Sequence, residues 1–401
     1  MNNSQSLFAN FEQLGSKALN LMKKHSFSLP GNKLLSDSKP LRTWSLTEAS
    51  TLIGRTTQCI RDHENKVNGL PKPKVTKNNK RYYTLEDINN IRKYFGTEPL
   101  KARPTTPAIV AFTNFKGGVA KTTSAIHAAH YFARAGYRVL LTDLDSQAST
   151  TSSFGYAPDE DIKNNETLKP FLLGKIEDIR EVITHTYWPN LDLIPANLSL
   201  YGIELELPVL RENALKSGRD LSIFSLLHNG FTQVYEEYDI IIIDCPPAMS
   251  ILNTNALCAA NALVVPCPPA IPDIASMFQF FGMISDALKK LQNKEFNFIR
   301  ILITRHDGGK TSYEIATVLR KLFGAYVMRN EMSTTQAIIQ CRAELNSIYE
   351  TTTYKGSKQT LLRAQQIVDS INRELEEYIL ESWGLVEEIN SNVKQTEVTY
   401  A

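Results

Sequence analysis

Two hydrophobic rhythms divide the chain. Near the start, Leu7, Phe8, Phe11, Leu14, Leu19 and Met22 recur at spacings near three and four, which predicts an amphipathic helix over residues 5–24. A helix this short is marginal alone and needs a surface to pack on. Ser26 to Pro40, with Pro30 and Gly31, reads as a linker. From Thr43 to Gly96 the pattern predicts a helix led by Ser45 and Thr47, a turn at Gly54-Arg55 and a second helix through Arg61-Asp62. A basic Pro-rich hairpin and a helix from Leu85 complete a helix-turn-helix with a wing. Pro99 to Pro107, with three prolines, reads as an interdomain linker.

Beyond residue 107 short, continuously apolar strands alternate with helices. Strands are expected at 108–113, 138–143, 191–195, 239–244, 262–266 and 299–304, with a helix over 122–135 after the first. Continuous apolar strands separated by helices predict a doubly wound, mostly parallel α/β sheet covered on both faces. Leu361, Leu362, Ile367, Ile371, Leu375 and Ile379 predict a closing helix over 357–381, and the polar tail after Gly384 is expected to fray. The expected domains are 1–40 (helix and linker), 41–98 (winged helix-turn-helix), 99–107 (linker), 108–385 (α/β domain) and 386–401 (tail).

Charge sharpens this division. The formal net charge is only +2, but residues 1–103 hold 18 Lys+Arg against 8 Asp+Glu, leaving the rest of the chain at about −8. A basic N-terminal third on a mildly acidic body is the footprint of a nucleic-acid-binding appendage, with a solvated basic linker as the plainer alternative. Cys59, Cys245, Cys258, Cys267 and Cys341 are scattered and contain no Cys-x-x-Cys pair, which argues for reduced thiols and against a zinc site. The N-terminus lacks the apolar core of a signal peptide, and Ala256 to Ile271 is too short and proline-broken to span a bilayer. A cytoplasmic protein without membrane attachment is expected.

The candidate chemistry sits at strand ends. The strand ending at Thr113 runs into Lys116-Gly117-Gly118-Val119-Ala120-Lys121-Thr122-Thr123, and the lysine and threonines open a helix. Glycines let backbone amides approach phosphates, the helix N-terminus adds positive partial charge, Lys121 can reach β/γ oxygens and Thr122 can hold magnesium. Phe115 and Ala120 occupy the glycine positions of the usual P-loop pattern, so the string is ambiguous when read alone. Asp143-Leu144-Asp145-Ser146-Gln147 and Asp244-Cys245-Pro246-Pro247 follow two further strands, where acidic residues face the ligand crevice of an α/β sheet. An apolar strand ending in aspartate suits a carboxylate that orients a magnesium-bound water.

Lys116 before Gly117-Gly118, Asp143-x-Asp145-x-Gln147, Asp244-x-Pro246-Pro247 and Asn255-Ala256-Leu257 together resemble the ParA family of deviant-Walker partition ATPases, and the long basic N-terminal region resembles its large type Ia branch. The resemblance implies ATP/ADP and Mg2+ as cofactors and a homodimer in which Lys116 crosses to the partner's nucleotide. It implies Asp145 as the residue that positions the attacking water, with a water-mediated link to the metal. Thr122 would be a magnesium ligand, and Asp244 would act through water. Asp143 reads as a supporting residue. Arg305 falls where the family contacts adenine, although a solvent-facing arginine is an equal alternative, and Asp273 stands either as a link to Lys116 or as a helix N-cap. Ser146 departs from the usual proline and could loosen the loop that carries Asp145.

The resemblance further implies nucleoid association, a ParB-type centromere-binding partner, binding of nonspecific duplex DNA with ATP, and weak hydrolysis stimulated by both. Repression of its own operon is also implied; a nucleotide-switched repressor without turnover is the alternative. Residues 46–61 are similar to a MerR-like helix-turn-helix, with Arg55, Gln58 and Arg61 as candidate base readers and Lys72, Lys74, Lys77, Lys80 and Arg81 as a basic wing on the operator backbone. The helix at 5–24 stands either as a dimerisation element or as a segment packed on its own ATPase domain. A second DNA surface could draw on Lys310, Arg320, Lys321, Arg342, Lys355 and Lys358. Nitrogenase-reductase-like and MinD-like proteins share the fold, but the cysteines and the polar tail favour neither.

Overall fold

The computed structural model describes residues 39, 41–66, 70–76, 78–219, 221–290, 295–351 and 354–385. The helix expected over 5–24, Lys77 and the tail from 386 lie outside the described residues. No described helix is long and apolar enough to cross a membrane.

The N-terminal module opens with β1 (Trp44–Ser45) and α1 (Leu46–Ile53). Ser45 caps α1 reciprocally with Glu48, and Gly54 ends it at φ 71°, a left-handed turn that glycine enters without steric penalty. Next come α2 (Thr57–Lys66), β2 (Lys74–Val75), β3 (Arg81–Tyr83) and α3 (Leu85–Phe95), which Thr84 caps through the same kind of box with Asp87. The three short strands pair antiparallel in the order β1-β3-β2. Buried Glu64 of α2 accepts a hydrogen bond from the Tyr83 hydroxyl and pairs with Arg81 at 3.4 Å, fastening the wing to the second helix.

The large sheet has eight strands in the order β11-β10-β9-β4-β8-β5-β7-β6. Its centre is β4 (Ala108–Phe112), flanked by β8 (Ile240–Asp244) and β9 (Ala262–Cys267), with β5 (Val139–Asp143) beyond β8. These strands are parallel and buried throughout, as a sheet covered on both faces requires. Each isoleucine of 240–243 is fully buried, and each such burial contributes roughly 1.5–3 kcal/mol. β7 (Leu191–Ile194) and β10 (Phe298–His306) extend the sheet. The edge strands β6 (Thr184–His185) and β11 (Met332–Ser333) are two residues long and below what hydrophobic patterning can detect; β6 is antiparallel to β7.

Helices α4 (Lys121–Ala135), α5 (Ser149–Ser153), α6 (Ile203–Lys216), α7 (Ile251–Ala259), α8 (Ile271–Lys290), α9 (Lys310–Phe323), α10 (Gln336–Ala343) and α11 (Lys358–Ser382) cover the sheet, along with shorter turns of helix. One apolar core runs without interruption from Trp44, Ile53, Tyr83 and Ile88 of the N-terminal module into Phe132, Tyr137 and Ile371 of the α/β body. The module is therefore docked. Arg92 of α3 is buried and donates to the Leu52 and Arg134 carbonyls, each at 2.9 Å, in the last turns of α1 and α4. A cation suits those positions, where unpaired carbonyls gather negative partial charge. Gly136, at φ 109°, ends α4 beneath it, and a Cβ there would meet Arg92 Nη1 and Pro99 at 3.1 Å. The stretch expected to be an interdomain linker begins with Pro99 close to Gly136.

Candidate functional site

The P-loop leaves β4 at Thr113 and enters α4 at Lys121. Gly118 has φ 76° and Ala120 φ 74°, while Gly117 and Val119 stay outside the left-handed region. This alternation lets successive backbone N–H groups converge on an anion. Ala120 therefore adopts the conformation expected of the glycine it replaces, at a cost of about 1 kcal/mol. Surrounding contacts hold it: the Thr304 hydroxyl donates to the Val119 carbonyl at 2.9 Å, and Arg305 Nη1 donates to the Gly118 carbonyl at 2.8 Å. Arg305 is itself left-handed, at φ 54°, at the end of β10. The Asn114 side chain bridges the Lys116 amide and the Pro266 carbonyl, tying the loop to β9.

Lys121 is mostly buried, and its ammonium donates to the Lys116 carbonyl at 3.0 Å. Burial lowers its pKa, opposed by the nearby Asp244, Cys245 and Asp145. Lys116 points elsewhere and pairs with Asp273 at 2.9 Å. Asp273 lies inside α8 rather than at its N-cap, which resolves its two readings in favour of the link.

Asp143 and Asp244 sit opposite each other on neighbouring parallel strands, both fully buried. Burial raises both carboxyls, and the proximity of Asp244 raises Asp143 further. Asp143 is fully engaged: Thr151 donates to its Oδ2 from backbone (2.9 Å) and hydroxyl (2.8 Å), and the Asp145 amide donates to Oδ1 at 3.1 Å. Asp244 Oδ2 accepts from the Thr150 hydroxyl at 2.7 Å, while Oδ1 is buried without a hydrogen-bond partner among the described residues. The Thr122 hydroxyl is near enough to ease the charge on Asp244, as is Lys121. A buried carboxylate oxygen left open beside a threonine hydroxyl and a lysine fits a hydrated divalent cation and a polyphosphate. Asp145 is partly exposed and accepts from the Gln147 amide at 2.9 Å. Thr123 opens the same helix turn as Thr122, and its carbonyl faces the His127 ring at 2.6 Å. Thr150 escaped sequence reasoning because nothing in its spacing distinguishes it from a helix-start threonine.

In the N-terminal module Gln58 and Arg61 are exposed on α2, although Gln58 already holds Asp62 at 2.8 Å. Arg55 is half-buried, lying over the Phe95 ring and bonded to the Gly54 carbonyl at 3.0 Å, so it is turned toward its own module. Lys72, Lys74 and Lys80 are exposed along the wing, whereas Arg81 is partly committed to Glu64. None of the five cysteines is in a disulfide, and no His/Cys/Asp/Glu metal cluster occurs among the described residues.

Comparison with known proteins fits both parts. An AAA domain family model matches residues 107–298, and a MerR HTH family regulatory protein model matches residues 44–94. Protein SopA of Escherichia coli K12 is 35% identical over 321 residues, which span 78% of this chain and 81% of SopA. The sporulation initiation inhibitor protein Soj of Bacillus subtilis is 33% identical over 201 residues, 50% of this chain and 73% of Soj. Among solved structures, a Borrelia burgdorferi B31 protein assigned to plasmid partition, bound to AMPPNP, superposes with a TM-score of 0.51 at 25% identity over 66% of this chain and 97% of that one. A Mycobacterium smegmatis cobyrinic acid a,c-diamide synthase with a bound ATP analogue and magnesium superposes with a TM-score of 0.50 at 26% identity over 68% and 95%. The chain therefore belongs to the ParA/SopA-like family of plasmid partition ATPases and carries a MerR-type helix-turn-helix ahead of its P-loop domain.

Proposed function

We propose that this protein is a DNA-partition motor that hydrolyses MgATP weakly alone, faster with DNA and a ParB-type centromere-binding partner, and represses its own operon. The observation that carries this reading is the Asp244 carboxyl, influenced by Lys121 and Thr122, whose buried Oδ1 has no hydrogen-bond partner among the described residues, under a loop in an anion-binding conformation. Residues 116–123 cradle the phosphates, and Lys121 exchanges the Lys116 carbonyl for β/γ oxygens. Thr122 ligates magnesium, and Asp244 and Asp145 reach it through water. Magnesium, when bound, would supply charge neutralisation on the transferring phosphoryl group. Asp145, on the more exposed loop, orients the attacking water, and Arg305 closes over the nucleotide from β10.

Lys116 acts across a homodimer. To reach a partner's nucleotide it must leave Asp273, and a partly exposed pair of this kind holds it by only about 0.2–1 kcal/mol. A second cation on the transferring phosphoryl group then stabilises the transition state. Gln58 and Arg61 read an operator while Lys72, Lys74, Lys77, Lys80 and Arg81 support its backbone. A nonspecific duplex surface draws on the basic residues of the C-terminal region.

The test is phosphate release by wild type and Lys121→Ala, crossed with nonspecific duplex DNA and the cognate centromere-binding protein. Lys121→Ala is expected to abolish release in every combination, and unchanged release would sink the reading. Zero release by wild type throughout, with nucleotide still bound, would favour the nucleotide-switched repressor; Ser146, which leaves the Asp145 loop without proline, accords with slow or partner-dependent hydrolysis.

A further inference from the structure

The loop from Asp143 to Thr151 carries Asp145 and is anchored at its far end by two consecutive threonines. Thr151 returns to Asp143 at the end of its own strand, β5. Thr150 reaches across to Asp244 on β8, so its hydroxyl is the side-chain tie from this loop to that strand. Both threonines are fully buried, and Ala148 enters α5 in a left-handed conformation at φ 52°. A carboxylate only accepts, so the Thr150 hydroxyl must spend its proton on Oδ2. The lone pairs on Oδ1 are then the ones left open, in a carboxylate that both Lys121 and Thr122 influence.

We infer that Thr150 is a positioning residue for ATP hydrolysis: by holding Asp244 Oδ2 it selects Oδ1 as the working oxygen and locks the Asp145 loop to the metal-facing strand. The inference rests on the proposed ATPase site and assigns it a further residue. Asp143 cannot share the role, since donors already occupy both of its oxygens. Without the Thr150 hydroxyl the Asp244 carboxylate can rotate, and the far end of the loop carrying Asp145 loses its side-chain tie to β8, leaving the Leu144 amide on the Asp244 carbonyl at 3.0 Å as the backbone tie at its near end. Phosphate binding by the backbone of residues 117–121 involves neither contact, so binding and turnover should separate.

The experiment uses the full chain as wild type, Thr150→Val, which keeps the branched shape without the donor, and Thr150→Ser, which keeps the donor. Steady-state kcat and KM are measured alongside the affinity for a fluorescent ATP analogue with EDTA and across a magnesium titration. T150V is expected to lose about tenfold in kcat with its affinity in EDTA within about twofold of wild type. Its gain in affinity on adding magnesium should shrink several-fold, and T150S should stay near wild type in all three. Wild-type kcat and magnesium response in T150V, or equal impairment of T150V and T150S, would overturn the assignment. If T150V does not fold by its thermal midpoint, Thr150→Ala carries the same test. A wild-type protein that binds no nucleotide would instead defeat the ATPase reading itself.

Discussion

Replacing Arg92 by methionine keeps an apolar stem and removes the guanidinium that joins the helix-turn-helix to the P-loop helix. Three acceptors lose their donor: the Leu52 and Arg134 carbonyls and the Asn89 side chain. A buried carbonyl left unpaired costs about 1–3 kcal/mol, so the two together come to about 4 kcal/mol. An opposing effect reduces this. Arg92 is buried with no carboxylate in ion-pair contact among the described residues, and burial pushes its pKa down to about 10, a penalty on the cation of roughly 3 kcal/mol that the variant recovers. Lost contact with two helix C-termini and the smaller side chain add roughly 1 kcal/mol back. The net expectation is a destabilisation of about 2 kcal/mol. Urea denaturation followed by tryptophan fluorescence reads it directly, because Trp44 of the module packs edge-on against Trp188 of the body at 5.9 Å. Trypsin should also cut faster at exposed Lys101 and Arg103 between the two parts. An Arg92→Met protein with an unchanged urea midpoint and unchanged cleavage would show that the buried cation contributes nothing to docking.

Two further predictions concern other regions. His127 donates from Nδ1 to the Thr123 carbonyl and accepts the Ile348 amide at Nε2, and burial holds its pKa down to about 4. The unfolded chain takes up this proton first, so the stability present above about pH 6.5 is lost as pH falls toward about 4, by up to roughly 3 kcal/mol. The urea midpoint of wild type should therefore drop faster than that of His127→Gln across this window, and parallel curves would refute the assignment. On the DNA side, Gln58→Ala or Arg61→Ala should cost about 1–3 kcal/mol on the operator with little change in salt dependence. Lys72→Ala, Lys74→Ala or Lys80→Ala should weaken all duplexes alike and lower the salt slope by about 1 each. Filter binding at several salt concentrations separates the two, and a swap of the patterns would move the reading surface off α2.

Much of the architecture was legible before any coordinates. The strand positions followed from apolar runs that only a doubly covered parallel sheet can bury, and Ser45 caps the helix it was expected to lead. Local chemistry also placed Lys121 at a helix start and Asp145 and Asp244 at strand ends. Other features depend on residues far apart in the chain. Ala120 broke the glycine pattern because tertiary contacts from Thr304 and Arg305 hold its backbone in place of glycine's freedom. Arg55 read as a base contact and Arg81 as part of the basic wing, yet they face Phe95 and Glu64. Thr150 acquired its partner 94 positions away when β5 and β8 became neighbours. The docking of the helix-turn-helix came from a shared apolar core and from the meeting of Arg92 with two helix ends, neither of which local pattern contains. Periodicity and local propensity act over a few residues and so determined elements and candidate chemistry. Which buried polar atom is satisfied, and which is left to meet a ligand, is settled only when the whole chain closes around it.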